Sequence, residues 1–434
     1  MVNSKNKLKI FFSIIIILFS FLFFFKENIK ILLSTSLNDN NVIKAKFFKD
    51  LIKAVADPRY LVNDYNVNFL PETQFLDFDT FKFKINKEAQ GQRYIEIINE
   101  SILLVSSNLN FYIKDIRDIN FEKKYLQLDE INKDVKNLNI KSLLDTKFYN
   151  DKLYISYKKI INDNCNTLAV AVAVYNLEKL KFKELFSINE CAKGSIFGGA
   201  IDIYKSVNGH GLLLSTSDVK RSRDEDISRE RDNRAQDDNS FYNKILYYDL
   251  DTRKIEIFSK GHRNPGSIFV DQDVIISTEH GPRGGDEINL IEKDGNYGWP
   301  ISSYGDLYFS KKKDPYYKKN HKKYGYIEPI YSYVPSIGIS AITKVPDNFD
   351  DYWQNNYLIA SLFGNSLYRV KFDNKHSKIL FSEKIFIGER IRDVKFYGGD
   401  LIILAFERGL GLGILKKKAA VEAYGNKKEG YYVK

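Results

Sequence analysis

From Phe81 onward the chain is cut into short runs rich in Ile, Val, Leu, Phe and Tyr, separated by Asn, Asp and Gly turns. Examples are YIEII, SILLVSS, FYIKDI, KLYISYKKI, TLAVAVAVYNL, GLLLSTS, KILYYDL, SLYRVKF and LIILAF. Runs of this length with almost no amphipathic helix between them predict many short strands, hence a sandwich, barrel or propeller. An aromatic share of 14% in 434 residues supplies enough bulk for one large β body. The net charge of +10 comes from lysines interspersed with acids, so no basic stripe marks a nucleic-acid footprint.

One stretch stands out, Gly261 to Pro300. Asn264-Pro265-Gly266 is a turn, because proline pushes the residue before it out of the helical region and Gly266 is free to take positive φ. Arg263 and Asn264 therefore sit side by side on a stiff bend. Ser267 to Thr278 then predicts a hairpin around Asp271-Gln272-Asp273, leading to Glu279-His280-Gly281-Pro282-Arg283-Gly284-Gly285-Asp286-Glu287. Three glycines and a proline leave carbonyls free of a ladder beside Asp286 and Glu287, with Tyr297 and Trp299 close behind. That is what a hard, oxygen-preferring cation such as calcium needs; the alternative is a charged glycine-rich loop capping a sheet. Further on, Arg390 and Arg392 alternate, so in a strand both leave from one face. Paired guanidiniums suit a ligand's carboxylates better than lysines do, with a structural salt bridge as the alternative.

These segments resemble the pyrroloquinoline quinone (PQQ) dependent sugar dehydrogenases of the glucose/sorbosone dehydrogenase family. The resemblance rests on GHRNPG, EHGP, DEINL, NYGWP and RIRD, and it extends to Ser142–Tyr157 and GLLLSTSD. It covers about residues 141–415, and the family's glutamine after Pro265 is missing. It implies an all-β six-bladed propeller over residues 81–415. It also implies PQQ gripped by Arg263, Asn264, Arg390 and Arg392, calcium held by the carbonyls of Gly281 and Pro282, and a second calcium site at Glu287 and Tyr297. The implied activity is oxidation of a sugar or related alcohol, with the electron acceptor open.

The family's base lies in a His-Phe-Gly-Gly-Arg segment, and the aligned residues here are Ile196-Phe197-Gly198-Gly199-Ala200. Isoleucine cannot accept a proton. His262 and His280, in the binding loops, are the candidates to replace it; His210 belongs to a hairpin turn. The competing reading is a propeller that binds PQQ, calcium or carbohydrate without turnover. Ser361-Leu362-Phe363-Gly364 departs from members that carry a cofactor-contacting lysine there.

Lys5, Lys7 and Lys9 precede an uncharged apolar run from Ile10 to Phe25, ended by Lys26. This order predicts an N-terminal anchor helix over residues 1–26, with a cleaved signal peptide as the alternative. It places the propeller in the periplasm or outside the cell, tethered by a single pass through a bacterial inner membrane. Residues 27–80 form a stalk and packing arm, and 416–434 a basic tail. Cys165 and Cys191, about a hairpin apart, form either a disulfide in an oxidising compartment or two free thiols. Residues 220–238 are a dense mixed-charge loop, solvated or partner-facing.

Overall fold

In the computed structural model, residues 73, 75–85, 91–192, 198–206, 209–218, 234–306, 317–407 and 409–418 are described. They fold into six antiparallel sheets of four strands, one of them extended by a short fifth. In chain order, blade 1 spans 93–130, blade 2 140–187, blade 3 198–260, blade 4 265–333 and blade 5 339–386. Blade 6 spans 391–417 and takes its outermost strand, Phe78–Phe83, from the opposite end of the described chain. The six innermost strands are Arg93–Ile98, Ile140–Tyr149, Gly198–Ser206, Pro265–Asp271, Ile339–Lys344 and Ile391–Tyr397. Each packs against the next and the last against the first, so the sheets form a closed six-bladed propeller.

The strand composition follows from position in the ring. The second strands of the blades lie between neighbouring blades, and in three of them, Ser101–Ser106, Asn356–Ser361 and Leu401–Phe406, the strand is mostly apolar and almost wholly buried. Outer strands touch solvent on one side, and Ile379–Phe386 alternates accordingly. Six apolar cores result, one at each junction between blades.

Side chains tie the junctions as well. The Asp393 carboxylate accepts from the Ile95 N–H (2.9 Å), Asp145 from Ile201 (2.9 Å), Asp202 from Val270 (3.0 Å) and Asp286 from Ile339 (3.0 Å). Hydroxyls donate to innermost-strand carbonyls in the other sense: Ser215 to Pro265 (3.0 Å), Ser340 to Ile391 (2.7 Å), Ser156 to Gly199 and Thr278 to Ser340. Blade 1 is joined to blade 2 by the Leu143 N–H on the Ser107 carbonyl (3.0 Å).

A boundary at residue 80 falls inside a strand, since Phe78–Phe83 belongs to the propeller and closes it. The helices among the described residues are 3-10 turns, and none is long and apolar enough to cross a membrane. The predicted N-terminal anchor, most of the arm, most of the mixed-charge loop and the tail beyond residue 418 lie outside the described residues. Cys165 and Cys191 are joined as a disulfide, with Cα atoms 5.4 Å apart across 26 residues. It ties an edge of blade 2 to the chain entering blade 3.

Phe83 is fully buried between blades 6 and 1, and Leu177 is 56% exposed. Phe83→Ala is expected to cost about 3–5 kcal/mol in urea unfolding and Leu177→Ala less than about 0.5 kcal/mol. Equal effects would mean that the closing strand adds nothing to the body.

Candidate cofactor and active site

Arg263 and Asn264 lie just before the innermost strand of blade 4, and Arg390 just before that of blade 6; the residues 280–285 connect the second and third strands of blade 4. All these connections emerge on one face of the ring. Arg263 organises its part of that face: Nη1 donates to the carbonyls of His280 (2.8 Å) and Gly281 (2.7 Å), and the guanidinium sits 5.4 Å from the Trp299 ring centroid. Its backbone N–H and that of Asn264 (3.1 Å) both donate to the buried Glu279 carboxylate. Gly281 and Gly285 allow this loop to fold on itself, because a Cβ on Gly281 would lie 2.0 Å from the Gly285 carbonyl oxygen.

His262 does not fit the role of base. Its side chain is fully buried, with Nδ1 3.1 Å from Glu279, Nε2 2.8 Å from the Ser259 hydroxyl and its ring stacked on Tyr297 at 4.6 Å. Both nitrogens are used inside the scaffold, so the ring braces Glu279. Sequence could not distinguish the two histidines, because each adjoins the same loops.

His280 is placed differently. Its side chain is 24% exposed and Nδ1 lies 3.9 Å from Asp286 Oδ1. Asp286 is buried and accepts the N–H groups of Gly281 (3.1 Å) and Ile339 (3.0 Å). Burial pulls its carboxyl up, but the partnership with His280 and the backbone hydrogen bonds outweigh that and hold it below the usual aspartate value.

From this dyad a chain of contacts runs round the rim. Asp286 holds Ile339, Gly338 accepts from the Leu362 N–H (2.7 Å), and the Leu362 carbonyl accepts from Arg390 Nη1 (3.2 Å). Glu407 Oε2 pairs with Nη2 of both Arg390 (3.0 Å) and Arg392 (3.3 Å). Arg93 completes the arc by donating to the Phe406 carbonyl; burial lowers its pKa, against the attraction of Glu407. Arg93 and Glu407 were not identified from sequence, since each meets its partners only after blades 1 and 6 are brought together. Ser361 is buried and hydrogen-bonded to Ser366.

Among the buried polar atoms on this face that make no hydrogen bond among the described residues are Nε of Arg263, Arg390 and Arg392, and Oδ1 of Asn264. Unspent N–H donors on three guanidiniums are the donor set that a flat polycarboxylate requires. A metal is served less well. The Gly281 carbonyl already accepts from Arg263, and among the described residues no three or more His, Cys, Asp or Glu side chains gather as metal ligands. The Tyr297 hydroxyl donates to Leu290 (2.5 Å) and accepts from the Glu292 N–H (2.9 Å), while its carbonyl accepts from His321 Nδ1 (3.0 Å). Glu287 Oε1 is 3.4 Å from His321 Nε2, and burial raises its carboxyl despite that partner. An imidazole thus spans the Glu287 and Tyr297 positions, and the expected second calcium site does not fit them. Ile196 lies outside the described residues; Ala200 is buried in the core between blades 3 and 4.

The family described as Glucose / Sorbosone dehydrogenase matches residues 139–412. The chain is 32% identical over 142 residues to the uncharacterized protein slr1608 of Synechocystis sp., covering 32% of this chain and 34% of that protein. It is 25% identical over 262 residues to the aldose sugar dehydrogenase YliI of Escherichia coli, covering 56% and 67% respectively. The matched part thus spans about a third of the first relative's length. The structure of the PQQ-bound aldose sugar dehydrogenase from Streptomyces coelicolor superimposes with a TM-score of 0.55 at 17% identity, over 80% of this chain and 100% of that one, a likeness of fold.

The lowered pKa of Asp286 means its ionised form stabilises the fold above pH of about 4, and that contribution is lost as pH falls through the folded value. Asp286→Asn is expected to cost about 2 kcal/mol at pH 7, with the difference from wild type shrinking below pH of about 4 in urea titrations. A pH-independent difference would rule out this role for the carboxylate.

Proposed function

The chain belongs to the glucose/sorbosone dehydrogenase family, and from that premise we propose that it is an exported, membrane-anchored quinoprotein that oxidises an aldose or related alcohol with PQQ and calcium. The observation that carries this reading is the set of unused Nε donors on Arg263, Arg390 and Arg392, beside the unpartnered Oδ1 of Asn264. The three guanidiniums would hold the carboxylates of the cofactor and Asn264 would donate to it through Nδ2, since its Oδ1 only accepts, and Arg93 adds positive charge behind them. A carbonyl oxygen has two lone pairs, so Gly281 keeps one for calcium beside Arg263, with Pro282 as its neighbour. PQQ, when bound, supplies the two-electron acceptor for the substrate's hydride.

The remaining step falls to protein side chains. His280 accepts the proton of the reacting hydroxyl, and Asp286, 3.9 Å from Nδ1, balances the charge it acquires. The export part of the proposal is supported by the lysine-then-apolar order of residues 5–25 and by the Cys165–Cys191 disulfide, which suits an oxidising compartment. A second reading, a propeller that binds without turnover, is favoured by Ala200, which packs as core where the family has arginine, and by Ile196 at the family's base position.

Titrating the apo-protein with PQQ and calcium, followed by absorbance, is expected to saturate at one equivalent, and Arg390→Ala and Arg392→Ala each to weaken binding by about 10- to 100-fold. His280→Ala should leave that affinity in place and lower dye-linked aldose oxidation by about 10²- to 10⁴-fold. Absence of any PQQ binding would end the quinoprotein reading; binding without oxidation of any aldose would establish the second one.

A further inference from the structure

The corner where Glu287 and Tyr297 meet carries an inference independent of PQQ. We propose that the His321 side chain occupies the place of a metal ion there, linking the strand Asp286–Leu290 to the Tyr297 turn, so that the corner holds no bound cation. The ring lies between two oxygens, the Tyr297 carbonyl, which accepts from Nδ1 at 3.0 Å, and the Glu287 carboxylate, at ion-pair distance (3.4 Å) from an Nε2 that makes no hydrogen bond. A carbonyl only accepts, so Nδ1 carries a hydrogen, and the ring plane is set by that bond.

His321 is 1% and Glu287 8% exposed, and the Tyr304 ring stacks on the imidazole at 5.3 Å with the planes 22° apart. The backbone fixes the ring from its other side: His321 opens the 3-10 turn His321–Tyr324, whose N-cap is Asn320, and its carbonyl accepts from the Tyr326 N–H (3.1 Å). A calcium ion takes six to eight oxygens. Here it would have to expel a packed, stacked side chain to reach a single carboxylate and one carbonyl.

The corner nevertheless retains latent oxygen ligands. Asn289 Oδ1 is buried and makes no hydrogen bond, and Asn289 Nδ2 is 3.5 Å from Glu287 Oε2. Removing the imidazole therefore leaves the Glu287 carboxylate and the Tyr297 carbonyl on either side of a ring-sized space, with the Asn289 amide beside Glu287. In the intact chain that space is filled by carbon and nitrogen. In a shortened variant it becomes a site for a hard cation.

The test is elemental analysis of the full-length protein and of Glu287→Gln after equilibration with calcium, magnesium and zinc and removal of free metal. The two proteins are expected to hold the same number of equivalents of every metal, because any ion at the Gly281 and Pro282 carbonyls is common to both. His321→Ala is expected to take up one further equivalent of calcium. It should also melt about 5–10 °C lower, with part of that loss restored by millimolar calcium but not by sodium chloride of equal ionic strength. His321→Ser provides the same measurement should the alanine variant fail to fold. One equivalent of calcium or zinc present in the wild type and lost in Glu287→Gln would overturn the proposal, as would no added calcium in either His321 variant. PQQ enters none of these measurements, so their outcome is separate from that of the quinoprotein reading.

Discussion

A propeller has an unusual difficulty: the innermost strand of each blade has one edge with no strand beside it in its own sheet, and that edge faces the next blade at the crowded centre of the ring. Backbone N–H and carbonyl groups left there without partners would cost more than a solvated edge does. The chain answers by directing one carboxylate or hydroxyl across nearly every junction, Asp393 to Ile95, Asp145 to Ile201, Asp202 to Val270, Asp286 to Ile339 and Ser340 to Ile391. The apolar cores hold the blades together; these polar links set how far each slides along its neighbour.

The candidate site is built with the same device. Glu279 gathers the N–H groups of Arg263 and Asn264, which fixes a bend that would otherwise leave both donors buried and unpaired. Asp286 is at once a junction link and the partner of His280. Rigidity at the rim is thus inherited from the ring. It allows three arginines to keep an Nε apiece without a partner, which a floppy loop would relax away.

What the sequence disclosed follows from range. Period-two alternation and apolar runs are local, so SILLVSS and LIILAF appear as Ser101–Ser106 and Leu401–Phe406, and the predicted hairpin after Asn264 is found as Pro265–Asp271 and Val274–Glu279. Arg263, Asn264, Arg390 and Arg392 were legible because the family motifs carry them, and the structure joins them along one rim. Phe78–Phe83 was assigned mainly to a packing arm because FDTFKF is indecisive alone; its partner is Leu412–Lys417. Arg93, Glu407 and His321 were missed for the same reason, their partners being distant in sequence. His262 was misjudged because burial, which decides its role, leaves no mark on the motif around it.

The pairing of Phe83 with Leu412 also gives the molecule a history. A ribosome makes the first half of this seam before blades 1 to 5 and the second half after them, so five blades must wait, their flanks uncovered, before the circle can shut. Such a long wait slows folding and exposes sticky strand edges. The final blade is then a clasp: whatever loosens it frees the earliest and latest segments of the body together, and exposes the arginine-lined rim between blades 6 and 1 in the same movement.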